Sequence, residues 1–395
     1  MDLSDSKLFT PVNLGPITLK NRSIRAAAFE GMSPNHSVSV DLINYHSALA
    51  KGGIGMTTVA YAAVQKSGLS FPHQLWLRKE VVKELKILTD KVHEYGALAS
   101  IQIGHCGNMA KHQVIKSRPL APSTHFNLYA PSLPRAMNQK DIDDTIDAFG
   151  RAVEIAQEAG FDAIEVHAGH GYLISQFLSK YSNQRKDNYG GNINNRMRFM
   201  TEVLEKVLEK AGSKTAVLVK MNMSDGFEGG NTIDEGILIA KKLEVIGVHG
   251  IILSGGFVSK APMYVMRGEM PLKTLAKHMD NLLMGKMVEI FGSTLIPSLP
   301  FKVQYFLEDA KRIRDLVEVP LIYVGGLLSE EAIEATLNEG FEAVALARAL
   351  IKDTDFIAKI LSKKQLSSSC DTCNHCIAVM YNGPFSCIQN TRKSV

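Results

Sequence analysis

The segment Glu165-Val-His-Ala-Gly-His-Gly-Tyr172 places two imidazoles three residues apart and a phenol two residues beyond the second. Two imidazole N–H donors aimed at one point can stabilise an oxyanion as it develops, and a nearby phenol can deliver a proton to carbon. His167, His170 and Tyr172 together therefore suit redox or proton-transfer chemistry on a carbonyl-bearing molecule. Zinc ligation is the competing use of His-x-x-His, but it needs a third ligand at suitable spacing and none stands nearby.

Other residues extend this chemistry. Gln102 lies near the end of the apolar run Leu98–His105. Its amide both donates and accepts, which suits the pyrimidine edge of a flavin or, alternatively, neighbouring backbone. Lys220 interrupts the run Val-Leu-Val-Lys-Met, where desolvation disfavours its charge. It needs either a carboxylate neighbour or an electron-rich ligand such as a reduced flavin, and the surrounding candidates favour the ligand. Gly325-Gly326 and Ala347-Arg348 read as a phosphate grip, with glycine amides approaching the anion and an arginine adding charge. A plain tight turn is the other use of Gly-Gly. Cys370, Cys373, Cys376 and Cys387 crowd the C-terminus at spacings that fit a metal or cluster site better than a disulfide framework.

Apolar, β-branched runs must position these groups. They fall at Ser23–Ala28, Gly53–Tyr61, Leu98–His105, Ala163–Ala168, Ala216–Met223, Gly250–Gly256, Leu321–Gly326 and Ala343–Arg348, giving eight buried strands. Helical patterns separate them. Ile142, Ile146, Phe149, Val153 and Ala156 share one face; Thr232 and Glu235 form a capping box before Ile237–Leu243; and Ser329 caps Glu330–Asn338. The expected fold class is α/β, a (β/α)8 TIM barrel over residues 1–360 with a short cysteine-containing extension over 361–395. A doubly wound sheet is the alternative, but no Gly-x-Gly-x-x-Gly follows the first strand. Leu8–Lys20 predicts a hairpin around Gly15-Pro16 that closes the barrel floor. The methionine-rich insertion 257–304, after the sixth strand, predicts either a lid or substrate channel or an ordinary packed excursion.

The chain has 395 residues and a nearly balanced charge, with 44 basic against 40 acidic side chains. No basic run with interleaved aromatics suggests nucleic acid, and no apolar stretch is long enough to span a membrane. The opening Met1–Lys7 lacks the basic and apolar regions of a secretory leader, so a cytoplasmic protein is expected.

The run from His167 to Phe199, including Ser182-Asn-Gln-Arg-Lys-Asp-Asn-Tyr-Gly-Gly191, closely resembles the signature of the old yellow enzyme family of FMN-dependent ene-reductases. Leu8-Phe-Thr-Pro, Leu19-Lys-Asn-Arg22, Ile101-Gln-Ile-Gly-His105, Gly325-Gly326 and Ala347-Arg-Ala-Leu-Ile351 extend the resemblance over residues 8 to 355. It implies that His167 and His170 bind the carbonyl oxygen of an α,β-unsaturated substrate while Tyr172 protonates the α-carbon. It further implies that Gln102 and Lys220 hold the flavin ring, that Ala28 and Ala60 present backbone to it, and that Gly325, Gly326, Ala347 and Arg348 hold the FMN phosphate. Asn183, Arg185, Asp187, Tyr189 and Arg196 are expected to form a structural loop network. Four positions depart from the family pattern: Lys220 where arginine is common, Ala27-Ala28 in place of Pro-Met, and Phe29 in place of a small Thr or Cys.

The cysteine tail resembles the [4Fe–4S] segment of 2,4-dienoyl-CoA reductase and trimethylamine dehydrogenase, relatives that carry further flavin and nucleotide domains; by that likeness Cys370, Cys373, Cys376 and Cys387 would hold an iron–sulfur cluster or zinc, with plain reduced thiols as the other reading. The resemblance thus implies an ene-reductase-type oxidoreductase using FMN and NAD(P)H on an enone-type small molecule, in a homo-oligomer. A dienoyl-thioester reductase or amine dehydrogenase-like enzyme, fed by a separate electron-donor protein through an iron–sulfur cluster, is the alternative. A phosphate-substrate aldolase or isomerase is the non-redox reading of the same grip.

Overall fold

The computed structural model describes residues 6–127, 130–279 and 282–391. Most of the opening segment read for a leader, and the last residues of the tail, therefore lie outside the described residues. The strands are β1 (Val12–Leu14), β2 (Ile17–Leu19), β3 (Ser23–Arg25), β4 (Met56–Ala63), β5 (Leu98–Gly104), β6 (Leu120–Ala121), β7 (Arg135–Ala136), β8 (Ala163–Ala168), β9 (Ala216–Asn222), β10 (Gly250–Ser254), β11 (Leu321–Val324) and β12 (Ala343–Leu346). Eight of them close a parallel barrel in the order β3-β4-β5-β8-β9-β10-β11-β12, with β12 pairing back to β3. Helices cover its outside, as the (β/α)8 expectation requires.

The floor of the barrel is filled by β1 and β2, an antiparallel hairpin. Its alternation sends Val12, Leu14, Ile17 and Leu19 inward onto Ile24, Met56, Leu218, Ile252 and Ile322. Burying each such side chain is worth roughly 1.5–3 kcal/mol. At the turn, Gly15 has φ +57°, and a Cβ there would lie 2.4 Å from the His249 ring, so a larger residue cannot seat the hairpin.

The helix Gln139–Glu158 buries Ile142, Phe149, Val153 and Ala156 and starts at a capping box of Asn138 with Asp141. Thr232 and Glu235 form the second box, although that helix is longer than its apolar pattern and runs Ile233–Ile246. Ser329 caps Glu330–Asn338 by accepting from the Ala332 N–H.

Several strand ends differ from the sequence expectation. The first barrel strand stops at Arg25, whose guanidinium turns back to the Ala28 carbonyl and bends the chain. Gly325 and Gly326 leave β11 because their φ angles of +142° and +73° are not strand geometry. Arg348 opens the helix Arg348–Lys352 rather than ending a strand. β4 continues past Tyr61 to Ala63, and its pairing with β5 shifts register between Val59 and Ala62. Such a bulge re-aims the residues it contains, here Ala60 and Tyr61.

Within the insertion, short helices span Pro262–Met266 and Leu272–Lys277. Met263, Met270 and Leu275 form a small apolar cluster with Ala378 of the tail, so this part packs under the cysteines as a satellite core. A third helix, Leu282–Leu295, follows. Among the described residues no helix is long and apolar enough to cross a membrane.

Candidate active site

β8 delivers His167 from inside the barrel, and the chain then reverses through Gly169-His170-Gly171. His170 has φ +60°, a left-handed conformation that costs a non-glycine residue energy and is held by its neighbours. Its N–H donates to Asn222 Oδ1 at 2.9 Å, and its Nε2 lies 2.7 Å from Ser254 Oγ. Asn222 is itself fixed by donating to Asp225 and to the Gly256 carbonyl. Both flanking glycines are sterically required. A Cβ at Gly169 would lie 2.8 Å from Asn222 Oδ1, and one at Gly171 would lie 2.6 Å from the Phe257 ring.

This turn gathers three predicted residues. The His167 and His170 rings are 5.2 Å apart, and His167 lies 4.6 Å from the Tyr172 ring. Tyr61, which the sequence did not single out, joins them at 5.0 Å from Tyr172 and 6.0 Å from His167. Burial is the main cause holding both imidazoles neutral. His170 is pulled down to about 3 by burial and then by the charge of Lys220. His167 is held well below the ordinary imidazole range by burial, His170 and Lys220. Neutral rings can each offer one N–H to an oxygen without presenting a full charge.

One layer deeper, three polar side chains meet inside the barrel. Gln102 on β5 is in register with Glu165 on β8 and donates to its Oε1 at 2.5 Å. Lys220 Nζ on β9 lies 2.8 Å from the same oxygen, with both side chains nearly fully buried. A carboxylate neighbour for Lys220 is therefore present, contrary to the preference for a ligand alone. The contact is not aligned as a hydrogen bond, however, so Lys220 Nζ remains buried without a hydrogen-bond partner, as does His167 Nδ1. Orphaned polar atoms are costly in a protein interior. His167 and Lys220 are paired residues across β8 and β9, so the two orphans come from one level of the barrel.

The end of β3 and the bulge of β4 are tied by Glu30. It is ion-paired to Arg25 at 2.6 Å, lies 3.4 Å from His46 and accepts the Ala60 N–H at 3.0 Å. Arg25 also donates to the Ala28 carbonyl at 2.7 Å. The Ala28 carbonyl and Ala60 N–H are thus engaged within the protein. Phe29 stacks on Phe71 at 4.8 Å and lies 5.5 Å from Tyr61, placing an aromatic wall where a small residue was the family expectation.

Opposite, Gly325 and Gly326 form a cradle that a side chain would fill. A Cβ at Gly325 would lie 3.0 Å from the Phe306 ring, and one at Gly326 would lie 2.7 Å from the Lys302 carbonyl. Ala347 precedes the helix that Arg348 begins. The Arg348 guanidinium lies 5.4 Å from the Phe301 ring and donates to Asn374 Oδ1 at 2.9 Å. It lines a pocket enclosing roughly 310 Å³ of non-atom space, part of it open to solvent, together with Cys370, Cys373, Cys376 and Cys387. The four thiols are free and share this one pocket. Among the described residues no three His, Cys, Asp or Glu side chains converge on a point that could hold a single metal ion. A lone zinc needs its sulfurs ~2.3 Å from one centre. Burial pushes the Cys376 thiol up to about 12.

The loop residues expected to be structural make structural contacts. Asn183 donates to the Phe177 and Tyr189 carbonyls, Arg185 to those of Pro122 and Met137, and Arg196 pairs with Glu235. Besides Tyr61, sequence reading gave no role to Glu165, Asn222 or Ser254. Glu165 carried a signal: a carboxylate two residues before His167 in a buried strand must share its face.

The parallel barrel thus carries a histidine pair and a glycine cradle toward its carboxyl end, with a buried lysine one layer below the histidines. The profile of the NADH:flavin oxidoreductase / NADH oxidase family matches residues 7–256, and the chain belongs to this family. It is 41% identical over 377 residues to the 4,4'-dithiodibutanoate disulfide reductase of Rhodococcus erythropolis, covering 95% of this chain and 93% of that protein. It is 30% identical to the NADH oxidase of Thermoanaerobacter brockii, covering 93% of this chain but 52% of that one, so the chain spans about half that relative's length. Among solved structures, a 2-naphthoyl-CoA reductase complex superimposes with a TM-score of 0.84 at 23% identity, covering 98% of this chain and 57% of that one. Morphinone reductase superimposes at 0.74 and 21% identity, covering 96% of this chain and 95% of that one. At these identities the structures speak for the fold alone.

Proposed function

We propose that the protein is an FMN-dependent reductase that uses NAD(P)H to reduce a small molecule held by His167 and His170, with an activated alkene as the acceptor. The observation that carries this reading is the pair of buried atoms without a hydrogen-bond partner, Lys220 Nζ and His167 Nδ1, at one level of the barrel. FMN fits these residues. Gln102 and Lys220 would hold the ring, Gly325, Gly326, Ala347 and Arg348 would hold the phosphate, and a neutral His167 would donate to a substrate oxygen. Bound FMN supplies reversible two-electron hydride chemistry. The chain's own work is to position and to protonate. His167 and His170 donate to the substrate carbonyl oxygen, polarising the conjugated alkene, and Ser254 and Asn222 keep His170 aimed. Tyr172 gives its phenolic proton to the α-carbon as the β-carbon takes hydride. Phenols, with pKa near ~10, are protonated at neutral pH and remain acidic enough to quench an enolate.

A disulfide acceptor is the second reading, favoured by the 41% identity to a disulfide reductase. Saturating an alkene and splitting a disulfide each consume one hydride and one proton, so one donor set serves either. We also assign the cysteine pocket to a [4Fe–4S] cluster fed by a separate electron donor. Four thiols line one pocket, and Arg348 beside them offsets negative charge.

The visible spectrum of the purified protein tests the flavin. Bands at roughly 370 and 450 nm that bleach on reduction are expected of a flavin. Protein that stays colourless after incubation with FMN would overturn the reading. Turnover of an enone against an organic disulfide, at matched NAD(P)H, separates the two acceptors.

A further inference from the structure

Arg267, in the insertion that follows β10, carries a charge that no acid among the described residues answers. Its guanidinium carbon lies 4.7, 5.2 and 5.7 Å from the ring centroids of Tyr264, Tyr305 and Phe306. Its Nε is buried without a hydrogen-bond partner, and among the described residues the rest of the side chain makes no hydrogen bond either. A ring face attracts a guanidinium but leaves its in-plane N–H donors unsatisfied. The backbone is fixed as well. Arg267 has φ +53°, and this left-handed position is held from both sides. Its N–H donates to the Met263 carbonyl and its own carbonyl accepts from Asn374, each at 2.8 Å.

The rings that line Arg267 also wall the glycine cradle. A Cβ at Gly325 would lie 3.0 Å from Phe306 and 3.1 Å from Tyr305, and one at Gly326 would lie 3.0 Å from Tyr305. Tyr323 ties this layer to the cradle, its hydroxyl donating to the Gly325 carbonyl at 2.9 Å and accepting the Phe306 N–H at 3.1 Å. Arg348 meets the same layer through Phe301, whose ring lies 6.1 Å from that of Tyr305. Burial pushes the Tyr305 phenol up, and the charges of Arg348 and Arg267 both pull it back. Two cations therefore reach one phenol whose ring borders both glycines.

The cradle itself offers donors. Among the described residues the Gly325 and Gly326 N–H groups donate to no protein acceptor. Residues 245–268, 290–307, 319–329 and 343–352 supply these rings, glycines and arginines, and they contain no Asp or Glu. Glu269, the next acid along, is exposed. Free backbone amides beside two planar guanidinium groups suit a phosphate, which accepts from both kinds of donor.

We propose that Arg267 is a second arginine of the FMN phosphate site, which makes the insertion after β10 part of the cofactor's seat. This deepens the function proposed above and rests on it for the presence of FMN.

The test compares FMN with riboflavin, which lacks only the phosphate, by fluorescence titration of the full chain stripped of flavin. Arg267→Met should cut the FMN-over-riboflavin affinity ratio about tenfold, equivalent to about 1.4 kcal/mol. Riboflavin affinity should stay as in the wild type, which also reports a folded pocket. Arg267→Lys should keep part of the ratio. If Arg267→Met does not fold, Arg267→Gln decides by the same ratio. An unchanged ratio overturns the assignment and leaves the flavin reading standing. So does an unchanged ratio with lost iron uptake at the cysteines, because the charge would then serve that pocket. A wild type that binds neither flavin counts against the proposed function instead. Inorganic phosphate then decides the arginine: it should raise the melting temperature of the wild type and not that of Arg267→Met, and an equal effect on both would overturn the role.

Discussion

Lys220 Nζ and Glu165 Oε1 lie 2.8 Å apart inside the barrel, and the same carboxylate oxygen accepts from Gln102. Both proposed flavin-ring ligands thus share one buried counter-charge, which orients them and would temper the positive charge offered to a bound ring. Removing one partner of a buried ion pair typically costs about 3–5 kcal/mol. Glu165→Gln should therefore lower the melting temperature of the flavin-free protein. In the FMN-loaded protein the undiminished Lys220 charge should favour the reduced, anionic ring and raise the midpoint potential by about 30 mV or more, 30 mV being about 1.4 kcal/mol for a two-electron couple. Spectroelectrochemistry reads this directly, and an unchanged potential in a folded, flavin-loaded variant rejects the tempering role.

Tyr172→Phe separates the two half-reactions. Loss of a positioned proton donor is expected to slow acceptor reduction by about 10²–10⁴-fold. Flavin reduction by NAD(P)H, followed by the loss of absorbance near ~450 nm, should stay close to wild type. Equal slowing of both halves would remove Tyr172 from proton delivery.

Acid should destabilise the protein through its buried imidazoles. Burial holds His105 and His170 at about 3, and His167 well below its ordinary range. In the unfolded chain such rings take up protons near ~6.5, so as pH falls the unfolded state binds protons first. Their contribution is complete above about pH 6.5 and is lost progressively toward pH 3. His93 has the opposite sign. Its bond to Asp162 raises its pKa, so its contribution is present below the unfolded value and is lost as pH rises through the folded one. Melting temperatures measured from pH 8 down to 4.5 should fall, and fall more steeply in His93→Gln, where the offsetting group is gone. A flat profile in the wild type would contradict the assignment.

Anaerobic reconstitution with iron and sulfide tests the tail. A cluster should add broad absorbance near ~400 nm and stoichiometric iron. Cys376→Ser should abolish both while leaving the flavin bands. Zinc uptake without iron, or no metal at all, would remove the cluster assignment.

Gly171→Ala should be severe for its size. The position has φ +80°, and the new Cβ would meet the Phe257 ring at 2.6 Å. Conformational strain of order 1–3 kcal/mol adds to that clash. The melting temperature should drop, and the substrate side should weaken more than FMN binding. An isothermal, fully active variant would show that the His170 turn tolerates another path.

The barrel was legible because each buried strand reads as a short apolar run between helical patterns, and the floor hairpin because Gly15-Pro16 interrupts a clear alternation. His167, His170 and Tyr172 were legible as a local motif on one turn. Tyr61 was not, because it reaches the site through a β4 bulge that no local pattern announces. Glu165 was visible but its role was not, since that depends on the stagger between β8 and β9. Nor could spacing reveal that Arg348, from the phosphate-grip motif, lies against the cysteine pocket, because that contact joins residues brought together only by the path of the tail.

Asn374 stands between Cys373 and Cys376, and its amide bonds at once to Arg348 and to the carbonyls of Arg267 and Glu269. The tail is therefore a clasp. A group bound in the cysteine pocket would press on Asn374, and through it on the guanidinium proposed to hold the FMN phosphate. Occupancy of the two proposed places would then be coupled, and such linkage is reciprocal: the free energy by which the first aids or hinders the second is the free energy by which the second aids or hinders the first.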